Sequence, residues 1–115
     1  MAHVAEHIVI NIAEHFANTP GSRNIDEGSY SGEEFLNSTL LPKFKQALSE
    51  KSVILIDLDN AEGYATSFLE EAFGGLARIY GSKQVLKILE FKSLDEPLLI
   101  EEIITYIKEA NDKLK

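Results

Sequence analysis

The side chains able to do chemistry gather on either side of residue 60. Asp57 and Asp59 flank the end of the apolar run Val53-Ile54-Leu55-Ile56-Asp57-Leu58, and the carboxyl ends of strands are where open α/β sheets place their ligands. Magnesium binding or phosphoryl transfer there would need an acidic cluster gathered from several strand ends, and a lysine. The other strands legible in the sequence supply neither, only Asn11 and Glu90, so that chemistry is not expected. Further on, Ser67 stands in Ser67-x-x-Glu70, the spacing of a capping box, whose hydroxyl would satisfy an N–H of the first helical turn. A helix start also offers unpaired N–H groups and the positive end of the dipole, which can hold a phosphate's added charge. Ser67, with Thr66 beside it, is therefore a candidate phospho-acceptor, opposed by Glu70 and Glu71 one turn in. No His or Lys lies close enough in sequence to take a proton from Ser67, so acyl transfer has no base.

The remaining chemistry-bearing residues are thinly spread. Gly63 lies in the loop before Ser67 but belongs to no glycine-rich phosphate-cradling pattern. Arg23, beside Pro20-Gly21, is a guanidinium on a turn, suited to an anion or to one of the many carboxylates of the chain. His3, His7 and His15 have no metal-ligand spacing with a carboxylate or thiol. The chain has no Cys, which excludes disulfides, thiolate zinc sites and cysteine nucleophiles. Gly74-Gly75 falls inside a helical pattern, where each Gly costs about 1 kcal/mol relative to Ala. The pair implies either close approach of that helix to the sheet or the first helix, or a bare face on which a partner helix docks. Arg23, Asp59, Gly63, Glu70, Glu71, Gly74 and Gly75 are the residues expected to meet a partner or ligand, with no metal and no cofactor.

These residues are positioned by alternating elements. Ile8 to Ile12 and Val53 to Leu58 are nearly continuous in aliphatic residues, as expected of strands covered on both faces in a parallel sheet. Val85 to Phe91 reads as a third strand, interrupted by Lys87 and Glu90. Ser31-Gly32-Glu33-Glu34 is a capping box that opens a helical stripe through Leu36, Leu40, Phe44 and Leu48. Pro42 interrupts that stripe and should kink or divide the helix near Leu41. A second helix begins near Ser67, carries Leu69, Ala72, Phe73, Leu76 and Tyr80, and stops at Gly81. A third opens near Glu96-Pro97 and carries Ile100, Ile103, Ile104 and Ile107. Asn24 to Tyr30 is polar and is expected as an edge strand paired antiparallel to Ile8 to Ile12. The pattern is α/β: a mostly parallel sheet of about four strands, with an N-terminal edge strand or hairpin and three to four helices.

The 115 residues suffice for one domain with its own core. The net charge of −8 disfavours nucleic acid and anionic membrane, which need a basic face. There is no cationic leader followed by an apolar run, and no apolar stretch near the roughly 20 residues of a membrane span. A cytoplasmic location is expected.

The stretch VILIDLDNAEGYATSFLEEAFGGLARIYG, residues 53 to 81, resembles the core of the STAS fold of sulfate transporters and anti-sigma factor antagonists. In that fold a buried strand ending in an acidic turn leads through a short loop to a Ser at a helix start. A closer similarity is to the STAS-like family of unknown function found in bacteria and their mobile elements. It is carried by Pro20-Gly21-Ser22-Arg23, by Ser31-Gly32-Glu33-Glu34-Phe35, and by Ser67-Phe68-Leu69-Glu70-Glu71-Ala72-Phe73-Gly74-Gly75-Leu76. In anti-sigma factor antagonists the helix-start Ser is phosphorylated by a serine kinase of the histidine-kinase-like ATPase type. Ser67 matches that Ser and Thr66 the residue before it. Ala65 stands in place of the Asp of that motif and Phe68 in place of its Gly, a bulk that would change access to the hydroxyl. The resemblance implies a non-catalytic regulatory or interaction module partnered by such an ATPase. The alternative is a sensor that binds a small anion or nucleotide at the loop from Asp57 to Ser67.

Overall fold

The computed structural model describes residues 8–17 and 30–113, with side chains to 110. The expected turn at Thr19 to Ser22, Arg23, His3, His7 and all of the edge strand expected at Asn24 to Tyr30 except its last residue lie outside the described residues; Tyr30 is a bend with φ 59°. Within them, three strands, β1 (Ile8–Asn11), β2 (Ile54–Asp57) and β3 (Leu89–Lys92), form a parallel sheet in the order β1-β2-β3. The pairing Ile8↔Ile54↔Leu89 carries through to Asn11↔Asp57↔Lys92, so all three strands end level on polar residues. Period 2 is visible in β2, where fully buried Ile54 and Ile56 alternate with half-buried Leu55 and Asp57. The central strand is therefore not sealed equally on both faces, as its composition suggested.

Among the described residues, five helices accompany the sheet. α1 (Ile12–His15) is a single turn capped by Asn11, whose Oδ1 accepts from the Glu14 N–H at 2.8 Å. α2 runs through Gly32–Phe35, a π-helical turn at Leu36–Leu40, and Leu41–Glu50. Its N-terminus bears out half of the capping box: Ser31 Oγ accepts from the Glu34 N–H at 3.0 Å, while Glu34 reaches back one residue further, to the N–H of Tyr30. The division expected from Pro42 takes the form of the π turn, which ends at Leu40, two residues before the proline. A proline cannot donate to an earlier carbonyl, and a widened turn accommodates that loss without ending the helix. α3 likewise joins Thr66–Leu69, a π turn at Glu70–Gly74, and Gly75–Tyr80. α4 (Ser82–Ile88) follows Gly81, whose φ of 93° lets the chain turn sharply. α5 spans Leu98–Lys113.

The expected strand over Val85 to Phe91 is corrected by α4. Residues 85 to 88 are helical and only 89 to 92 are strand. Val85 and Leu89 are buried and four apart, with Leu86 and Ile88 half-buried between them. A short apolar run of this kind satisfies either period, and the break at Gly81 gives the helix its start.

The core lies between the sheet and α2, α3 and α5. Phe35, Phe44, Phe68 and Phe73 are fully buried beside Ile10, Ile54, Ile56, Leu76, Ile103 and Ile107. Edge-to-face and tilted ring pairs connect Phe16, Phe35 and Phe68, with Phe35 and Phe68 centroids 5.6 Å apart. The aromatic cluster ties the start of α2 to the start of α3, which holds the loop after β2 in place. No helix among the described residues is long and apolar enough to cross a membrane.

Candidate functional site

The site is built where the strands end. Asp57 closes β2, its Oδ1 accepting from the Asp59 N–H at 3.0 Å and its Oδ2 lying 3.8 Å from Lys92 Nζ. Lys92 closes β3, in register with Asp57. The expectation that no lysine reaches this sheet end is thus corrected. Once the third strand is placed at 89–92, Lys92 becomes its polar last residue, and the sequence reading missed it by ending the strand one residue early. No three of His, Cys, Asp and Glu among the described residues gather as a metal site.

Asp59 is buried, and its carboxylate is used within the domain. Oδ1 accepts from the N–H groups of Leu94 at 2.8 Å and Asp95 at 2.9 Å. The Asp95 N–H does most to hold the Asp59 carboxyl below its ordinary 3.8; burial opposes this, while the Leu94 N–H and the Lys92 charge add to the lowering. Asn60, at φ 75°, donates its N–H to Asp95 Oδ2 at 3.2 Å. Ser93 Oγ donates to the Glu96 carbonyl at 2.7 Å and accepts from the Glu96 N–H. Two loops, 58–65 and 93–97, are thereby clasped together. Tyr64 closes the first by donating its hydroxyl to the Leu58 carbonyl at 2.8 Å. Burial raises the Tyr64 phenol well above its ordinary value, with Asp57, Asp59 and Glu96 adding negative charge, so it remains a donor.

α3 starts beyond this clasp. Its N-cap is Ala65, whose methyl can accept no hydrogen bond, and the helix begins at Thr66. Ser67 is thus the second helical residue and not the cap expected from Ser67-x-x-Glu70. Glu70 Oε2 accepts from Arg78 Nη1 at 2.8 Å, and Glu71 Oε1 lies 3.7 Å from Arg78 Nη2. Thr66 is exposed and Ser67 half-buried. The Thr66 hydroxyl meets Tyr106 on α5, a phenol raised by burial and by Glu102. Phe68, expected to crowd the hydroxyl, turns inward and is fully buried against Phe35. The loop-to-helix junction is accessible on one side.

The other expected contacts separate into three groups. Gly63 stands in open space, with no heavy atom within 4 Å of where its Cβ would be. Gly74 and Gly75 are buried, and a Cβ on Gly75 would lie 2.8 Å from Leu36 Cδ2. Close approach to α2, at its π turn, accounts for this glycine, and a docking face is not needed. Arg23 lies outside the described residues. Gly32, which the sequence reading used only as part of a capping box, is the tightest crossing: its Cβ would come within 2.5 Å of the Phe68 carbonyl oxygen.

No curated protein and no solved structure matches the chain. The model of one family, described as a STAS-like domain of unknown function (DUF4325), matches residues 31–99. That span runs from the Ser31 cap of α2 through β2, the clasped loops, α3 and β3 to the first turn of α5, well over half of the chain. The matched span holds Asp57, Asp59, Thr66, Ser67 and Lys92, while β1 and most of α5 lie outside it; the chain belongs to this STAS-like family.

Proposed function

We propose that the domain is a non-catalytic regulatory module that binds a partner protein in the manner of an anti-sigma factor antagonist. Its partner is a histidine-kinase-like ATPase, and Thr66 or Ser67 accepts the phosphate. The start of α3 carries the reading: two hydroxyls stand in a first turn whose N–H groups receive no side-chain cap. Unpaired donors and the helix dipole favour added negative charge there. Glu70, which in sequence opposes it, has its carboxylate drawn to Arg78, away from the helix start. Thr66 lies beside Tyr106, so a phosphate on Thr66 adds charge where α3 meets α5. The ligand-sensor alternative has less support, because Asp57 and Asp59 already accept hydrogen bonds from inside the domain.

The test is incubation with a histidine-kinase-like ATPase encoded beside this chain, with ATP, followed by mass spectrometry. Calorimetric titration of Ala and Asp variants at Thr66 and Ser67 accompanies it. Phosphate on one of the two residues is expected, together with at least a fivefold difference in partner affinity between its Ala and Asp forms, about 1 kcal/mol. Ser67→Ala should leave the melting temperature nearly unchanged, because Ser67 caps nothing. Equal affinities with no phosphate on either residue would overturn the proposal.

A further inference from the structure

The loop that Asp59 holds displays one leucine, and the first residue of α5 is another. Leu94 is 76% exposed and Leu98 70%, the most exposed large apolar residues described. They are not loose: the N–H of Leu94 is bonded to Asp59, and Ser93 brackets the turn through both polar groups of Glu96. A rigid loop that holds apolar side chains in water spends less entropy on binding than a mobile one. Around them stand the exposed carboxylates Asp95, Glu96, Glu101 and Glu102, and the sequence has no Lys or Arg from 93 to 107. The result is an apolar knob in an acidic collar, at the end of the sheet where the strands finish.

The opposite end of the sheet carries the complement. A groove of about 430 Å³ lies between the C-terminal end of α2 and α4, where β2 begins. Its apolar lining is Ala47, Leu48, Val53 and Ile88, and Lys51 and Lys87, both exposed, stand at its rim. Glu50 is adjacent to Lys51 and takes a hydrogen bond from Gln46.

We propose that this groove receives the Leu94–Leu98 knob of a second copy of the chain, so that domains stack head to tail along the strand direction. Apolar knob meets apolar groove, and acidic collar meets lysine rim. The contact is heterologous, joining two different patches at opposite poles of the domain, so each copy keeps one free pole and the stack stays open unless its rotation closes a ring. The area is small and the charge pairs are exposed, so assembly is weak, concentration-dependent and loosened by salt. It is independent of the phosphorylation proposed above and requires no other protein.

Sedimentation velocity of the purified chain at low salt, up to roughly 1 mM, the weak end of measurable association, should show a weight-average mass that rises with concentration beyond dimer. Leu98→Asp, a knob variant, and Lys87→Glu, a groove variant, should each remain monomeric. An equimolar mixture should give a dimer and nothing larger, because only one intact knob and one intact groove remain. Circular dichroism melts of the variants, which alter exposed positions, control for folding. A native chain that stays monomeric throughout, assembly that ignores both variants, or a mixture that stays monomeric would each overturn the proposal. So would loss of ATPase binding in Leu98→Asp without any self-association in the native chain, which would assign the knob to the partner instead.

Discussion

A Cβ at residue 32 would lie 2.5 Å from the Phe68 carbonyl oxygen, 3.1 Å from Phe68 Cα and 3.0 Å from Glu71 Cβ. The nearest obstacle is backbone of α3, which cannot rotate aside, so Gly32→Ala has to push the two helix starts apart. A loss of about 1–3 kcal/mol is expected in denaturant unfolding. Gly63→Ala, in open space, should change little, and Gly75→Ala should fall between them. There the obstacle is the end of a flexible leucine, and the helix gains about 1 kcal/mol of propensity. The sequence reading had weighted these glycines the other way, because a Gly beside a cap looks ordinary and a Gly pair inside a helix does not. Asp59 gives a residue-scale test with a pH axis. Its carboxyl is held below 3.8 in the folded state, so its contribution is complete above that value and is lost as pH falls from there through the lower folded value. Asp59→Ala should cost about 1–3 kcal/mol at pH 7, where two N–H groups lose a charged acceptor. Melts of native and variant should draw together below pH 4.

At the scale of elements, α2 and α3 each contain a π turn, and the clearest consequence is at Gly74. Its Cβ would sit 2.8 Å from Glu70 Oε2 and 3.3 Å from Arg78 Nη1. The bare Cα is what lets Glu70 pass across a turn and meet an arginine eight residues on. Gly74→Ala should therefore set helix propensity against a displaced ion pair. In the native chain the two effects nearly cancel, since a partly exposed pair contributes about 0–1 kcal/mol. In a Glu70→Ala background the nearest obstruction is gone and Arg78, a flexible side chain released from its partner, can move aside, so Gly74→Ala should stabilise by about 0.5–1 kcal/mol. A double-mutant cycle in urea reads the difference directly. Elements differ in how far they were legible. The stripes of α2, α3 and α5 could be read because a period near 3.6 was sustained over many residues. The segment at 82–92 could not, because seven residues of helix run straight into four of strand with no polar break between them.

For the molecule as a whole, the net charge of −8 over 115 residues makes self-repulsion a term that salt screens. The described ion pairs, those of Arg78 with Glu70 and Glu71 and of Lys92 with Asp57, are partly exposed and carry little. The melting temperature should rise by a few degrees between about 20 and 200 mM salt; a fall would mean that ion pairs outweigh the repulsion. The sequence by itself determined the α/β class, the central strand, the capped start of α2 and the family likeness, since each rests on local pattern: a run of β-branched residues, a hydroxyl three residues before an acid, a motif. Only the tertiary structure decided how those pieces serve the site. Lys92 reached Asp57 through the register of two strands 32 or more residues apart in the chain, and Asp59 found its donors 35 and 36 residues away. The same holds at the start of α3. Ser67-x-x-Glu70 has the spacing of a cap in any context, but the helix begins two residues earlier, with Ala65 at the cap position, where Phe68 is drawn into the core against Phe35 and Glu70 toward Arg78. Local spacing can propose a hydrogen bond, and the competition among long-range partners settles whether it forms.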